Sequence, residues 1–80
     1  MRVLFSGGPL HGRWIEVRPW QRVYYHLDGP LLAGRYRRRT LLTSKGTAIR
    51  HFAWHLSTDR ETILHLLELL DPSGQNGLLR

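Results

Sequence analysis

The sequence predicts an α+β fold: an antiparallel β-sheet of four to five short strands with one C-terminal α-helix packed on it. Three observations lead there. Apolar and polar residues alternate with a period of two in short runs before Ser57, the pattern of strands with one buried face. Clusters of turn residues (Gly7-Gly8-Pro9, Pro19, Asp28-Gly29-Pro30, Ser44-Lys45-Gly46) separate those runs. Past Thr58 the period becomes helical, with Ile63, Leu66, Leu67 and Leu70 on one stripe. The sheet is either a meander or a small open barrel plugged at one end by the helix; both satisfy the two periodicities.

Residues 2–6 form the first strand, with Val3 and Phe5 on one face, and Gly7-Gly8-Pro9 ends it because proline cannot continue a ladder. Residues 13–18 form the second, with Ile15 and Val17 on one face and Trp14, Glu16 and Arg18 on the other. Residues 21–27 form the third, where Val23, Tyr25 and Leu27 alternate with Arg22, Tyr24 and His26. Residues 31–34 carry no assignable pattern. A long hairpin follows. Its first strand, residues 35–43, sets Arg35, Arg37 and Arg39 on one face and Tyr36, Arg38, Thr40 and Leu42 on the other. Its return strand sets Phe52, Trp54 and Leu56 against Ile49, His51, Ala53 and His55.

The helix is expected over Asp59–Leu70. Thr58 and Glu61 have capping-box spacing, and Asp59 and Glu61 complement the positive end of the helix dipole. Asp71-Pro72 stops it. The helix is expected to cover the face carrying Val23, Tyr25, Phe52 and Trp54. Residues 1–71 thus form a single domain, and residues 72–80 a flexible tail.

Charge is the most informative functional feature. The chain has 12 Lys plus Arg against 6 Asp plus Glu, a formal net charge of +6. Residues 34–56 hold Arg35, Arg37, Arg38, Arg39, Lys45 and Arg50 and no acid, so the excess resides in the hairpin. Nucleic-acid binding needs cations that release counterions from phosphates and rings that stack on bases. Arg35, Tyr36, Arg37, Arg38, Arg39, Lys45 and Arg50 are therefore the candidate nucleic-acid-binding residues. No sequence-reading motif accompanies them, so contact without strong sequence preference is expected. Arginines on a sheet edge also discourage aggregation, the plainer explanation of the same charge.

Catalytic and metal chemistry find little support. With no cysteine, disulfides and thiolate sites are excluded. His51 and His55 lie about 13 Å apart along a strand, too far to share a metal. GGPLHG lacks the GK[ST] ending of a phosphate loop. The best enzyme alternative is a toxin-like, metal-independent ribonuclease built from His51 or His55, Tyr36 and nearby arginines. No catalytic residue, metal or cofactor is assigned. The helix has more leucines than one sheet face needs, which makes Leu64 and Leu69 candidate partner or oligomer contacts, with Leu69 the preferred one. A protein-interaction module, either a virion or capsid accessory subunit or an inhibitor of a host protein, is the other alternative. No apolar run reaches 18 residues, so no membrane partner is expected and a cytoplasmic location is.

The stretch SGGPLHGRWIEV, followed by GRYRRRTLL and IRHFAWHL, resembles small proteins of actinobacteria and especially of their bacteriophages. These open with a strand, a Gly-Gly-Pro-x-x-Gly-Arg turn and a second strand. The resemblance spans residues 3–56, leaves out the helix, and departs at His11, where many of those proteins carry an acid. It implies a phage-type accessory protein, in the host cytoplasm or the virion, and no agreed activity.

Overall fold

The computed structural model describes residues 1–72, so the expected tail beyond Pro72 lies outside the described residues. The elements are β1 (Arg2–Ser6), a 3-10 turn (Gly8–Leu10), β2 (Trp14–Glu16), β3 (Val23–Asp28), β4 (Leu31–Leu42), β5 (Ala48–Trp54) and α1 (Asp59–Leu70). The five strands make one sheet in the order β2-β1-β5-β4-β3, curled into a half-barrel. The α+β class is as expected, but the sheet is mixed rather than purely antiparallel. β1 runs parallel to β5, pairing Phe5 with Phe52, while every other neighbour is antiparallel. Alternation along a strand is blind to the direction of a partner more than 40 residues away in sequence, so the parallel seam left no local trace.

The concave face holds the core: Val3, Phe5, Leu10, Val17, Tyr36 and Phe52, with Ile15, Tyr24 and Trp54 packed against it. Phe5 is at its centre. Its ring stacks on Phe52 at 5.0 Å, meets Tyr24 edge-on at 5.0 Å and lies 4.9 Å from Tyr36. Aromatic pairs at such distances add about 0.5–1.5 kcal/mol each beyond the area they bury. Being inside the sheet, β1 is buried on both faces, and Leu4 and Ser6 point to the convex side.

The helix forms where its cap is. Thr58 Oγ1 accepts from the Glu61 amide at 3.1 Å, and Glu61 Oε1 accepts from the Thr58 amide at 3.1 Å. It covers the convex face, however, where Leu66 and Thr62 are buried along with Leu4, Ser6, His51 and Ala53. The expected face of Val23, Tyr25, Phe52 and Trp54 does not exist as one surface. Arg37 pairs with both Val23 and Ala53, which sets Val23 and Tyr25 opposite in facing to Phe52. Phe52 is in the core, whereas Val23 and Tyr25 are exposed. A shift of one residue in register exchanges the faces of a strand, and nothing local to either strand fixes it.

Residues 31–34, unassigned from sequence, begin the longest strand. Gly29 and Pro30 turn β3 into β4, with Gly29 at φ +59. Pairing with β5 begins only at Tyr36. The end of the hairpin, His26–Asp28 against Leu31–Gly34, therefore projects past β5 as a two-stranded ribbon.

The Gly-Gly turn is where the elements meet. A Cβ on Gly8 would lie 2.7 Å from Trp54 Cγ and 2.8 Å from the Tyr36 hydroxyl. Gly8 and Gly46 both have positive φ, +65 and +80, but a Cβ on Gly46 would meet nothing. Left-handed backbone costs an alanine about 1–2 kcal/mol at either site; only Gly8 adds the collision. Gly8→Ala should lower the denaturant midpoint distinctly more than Gly46→Ala, and equal losses would contradict this packing.

Candidate nucleic-acid interface

The facing of β4 is decided by its even-numbered residues. Gly34 and Tyr36 are buried, and the Tyr36 hydroxyl donates to Gly7 O at 2.7 Å while accepting from the Leu10 amide at 2.8 Å. With Tyr36 fixed inward, strand alternation turns Arg35, Arg37 and Arg39 out to the convex face, and all three are exposed. Successive guanidinium-bearing residues stand about 7 Å apart along the strand. The three line one cavity of about 120 Å³ together with His55 and Ser57.

The other candidates do not join this row. Tyr36 is fully buried, so its ring is not available to stack on a base, and this expectation is corrected. Burial raises the phenol pKa, opposed in part by the Leu10 amide. Arg38 points to the opposite face, where its guanidinium donates to the Pro19 carbonyl. Arg50 shares the facing of Phe52 and lies across from Thr40. Lys45 is exposed in the β4–β5 turn. The expected set thus separates into an outward row of three, a structural tyrosine, two arginines of the other face and a turn lysine.

Neighbouring groups modulate the row. Arg39 Nη1 donates to Asp59 Oδ1 at 2.6 Å, an exposed pair at the start of α1. Such pairs are worth about 0–1 kcal/mol, so a phosphate can compete for Arg39. Arg35 and Arg37 make no salt bridge among the described residues. The ring missed from sequence is Tyr25, 57% exposed and directly across from Arg35. Its availability follows from register, which local pattern does not carry.

The histidines take separate places. His51 lies under the helix, 2% exposed, with Nδ1 3.3 Å from Ile49 O and no partner for Nε2 among the described residues. Burial lowers its pKa, the Ile49 carbonyl opposes that, and the Arg39 charge lowers it further. No hydroxyl or carboxylate bonds to it, so a base–nucleophile pair at His51 is not formed. His11 Nδ1 accepts from the Gly7 amide at 2.9 Å, and its Nε2 lies 3.9 Å from Glu68. A carboxylate at position 11 would accept the same amide. The rings of His65 and His11 meet edge-on at 5.0 Å, while Glu61, one turn before His65, bonds to the Thr58 amide. Among the described residues no cluster of three or more His, Asp or Glu could hold a metal ion, and no helix is long and apolar enough to cross a membrane.

On the helix the two candidate contact residues differ in exposure. Leu69 is half-buried and its Cδ2 lies 3.3 Å from where a Gly12 Cβ would stand, so it packs on the β1–β2 turn. Leu64 is the exposed one, at 53%.

The depressed His51 pKa has a pH consequence. In the unfolded chain the imidazole takes its proton near pH 6.5, while the folded chain resists protonation to lower pH. Stability is therefore intact above about pH 6.5 and falls as the pH drops below it, because the unfolded state binds the extra proton. Thermal melts from pH 7.5 to 5 should show this decline, and His51→Leu should flatten it. An equal decline in His51→Leu would assign the pH dependence elsewhere.

Comparison with known proteins finds no matching family model, no matching curated protein and no matching solved structure.

Proposed function

We propose that this chain is a small, non-enzymatic binding protein that contacts nucleic acid, without strong sequence preference, through the exposed arginine row of β4. The observation that carries this reading is the row itself: Arg35, Arg37 and Arg39 share one exposed face and one cavity, and among the described residues only Arg39 is paired with a carboxylate. Such an arrangement suits phosphates, since guanidinium groups make charge-assisted, often bidentate bonds to them. Tyr25 beside Arg35 offers a ring on the same face for an unpaired base. The likeness of residues 3–56 to phage proteins supports a phage-type accessory role, acting in the host cytoplasm. The binding partner is then a polyanion met electrostatically, with dissociation constants of about 10⁻⁴–10⁻⁶ M at physiological salt.

Salt dependence tests it. Three phosphate contacts give a log–log slope of about −2.7 on duplex DNA, at about −0.9 per contact. Arg37→Ala should make the slope shallower by about 0.9 and weaken unrelated sequences alike. Asp59→Asn should tighten binding by freeing Arg39 from its carboxylate. Arg13→Ala removes the same charge from the β1–β2 turn and should change binding little. Equal losses for Arg13→Ala and Arg37→Ala, in fluorescence anisotropy titrations, would reject the row as the contact surface.

A further inference from the structure

We infer that a second copy of this chain docks on the free edge of β3, antiparallel and centred on Tyr25, so that two half-barrels join into one continuous sheet. The inference does not rest on the nucleic-acid reading, although both use Tyr25. β3 is an edge strand. The Arg38 amide bonds to Arg22 O at 2.8 Å, which fixes Arg22, and by alternation Tyr24 and His26, as the residues whose backbone faces β4. The amides and carbonyls of Val23, Tyr25 and Leu27 therefore face away from the sheet. Gln21 Nε2 donates to the Val23 carbonyl at 3.1 Å, a solvent-exposed bond that a partner amide would replace.

The edge is lightly protected. Natural edge strands carry lysine, proline, inward charge or a bulge; between Val23 and Leu27, β3 has no lysine and no proline, and its one irregularity is the register shift against β4 at His26/Leu27. Its convex face instead shows Val23, Tyr25 and Leu27, respectively 37%, 57% and 60% exposed. Leu32, across from Leu27 and 60% exposed, continues the apolar surface on the projecting ribbon. Two-stranded ribbons are marginal in water without a further strand.

The strand is complementary to itself. With a two-fold axis at Tyr25, that residue faces its own copy and Val23 faces Leu27. Each such pair exchanges both of its N–H···O bonds, because these are the residues with outward backbone. The same register sets Arg22, on the opposite face, across from Asp28. Apolar residues thus meet apolar ones and the cation at one end meets the anion at the other, the requirement of an isologous contact. An axis perpendicular to the sheet keeps both arginine rows on one face. The two β4 strands then lie three strand spacings apart, about 14 Å.

Sedimentation velocity of the nuclease-treated full chain at low salt, over a range of concentrations, reads the outcome. The wild-type chain is expected at twice 9.4 kDa. Tyr25→Pro removes an outward amide without touching the β4 ladder, and should yield a monomer with an unchanged far-ultraviolet spectrum. Arg22→Asp and Asp28→Arg should each shift the equilibrium toward monomer, and the double variant should restore the dimer by regenerating the pair with reversed sign. If Tyr25→Pro proves unfolded, the charge exchange alone decides. A wild-type chain that stays at 9.4 kDa throughout overturns self-docking and leaves the edge to a foreign strand. A dimer that survives Tyr25→Pro in folded form, or a double variant no better than the singles, overturns the β3 register.

Discussion

The structure depends on one buried hydroxyl. Tyr36 sits in the middle of a run of arginines, yet its side chain passes through the core and ends between Gly7 O and the Leu10 amide. Those two groups belong to the turn after β1, 29 and 26 residues before Tyr36 in the chain. If the hydroxyl were removed, a buried carbonyl and a buried amide would lose their partner, at about 1–3 kcal/mol for each orphaned group. The turn can receive it because Gly7 and Gly8 have no Cβ: one on Gly7 would lie 2.6 Å from Ser57 Oγ, and one on Gly8 would meet Trp54 and the hydroxyl itself. The two glycines, the tyrosine and the tryptophan are one packing solution contributed by three separate stretches of sequence.

The facing of the arginines follows from that contact. Since alternate side chains of a strand point oppositely, fixing Tyr36 inward fixes Arg35, Arg37 and Arg39 outward. The excess charge of the chain is therefore partly sorted by a neutral residue. Arg38, on the core side, is spent on the Pro19 carbonyl at the open edge of the half-barrel and is no longer free for a ligand. The helix contributes a single carboxylate to the row, Asp59, which also serves the helix dipole. A local structural need and the electrostatics of the face thus share one side chain.

What was legible in the sequence was local. Thr58 and Glu61 marked the helix start because a capping box is complete within four residues. Alternation placed Val3 with Phe5 and separated Arg37 from Arg38, since both facts concern a single strand. Registers and directions were not legible, because each is a relation between strands. Val23 shares a face with Ala53 rather than Phe52 only through the pairing of both with Arg37. The parallel seam of β1 on β5 likewise depends on Phe5 stacking on Phe52, distant in sequence. Tyr36 reads as a surface ring because its neighbours are charged; the hint to the contrary is Gly34, the other buried residue of that face, together with a Gly-Gly turn that leaves room for a ring. Leu64 is more exposed than Leu69, against expectation, because Leu69 packs where Gly12 leaves room for it.

The central claim, that the Tyr36 hydroxyl holds the β1 turn and thereby sets the outward row of β4, is read most directly at one amide. Leu10 N–H has the Tyr36 hydroxyl as its bonding partner. Native-state hydrogen exchange should find this amide protected to the level of the Phe5 amide inside the sheet, although it lies in a turn. In Tyr36→Phe the Leu10 amide should lose that protection while Phe5 keeps most of its own. A Leu10 amide that exchanges in the wild-type protein as fast as the exposed Lys45 amide of the β4–β5 turn would contradict the account.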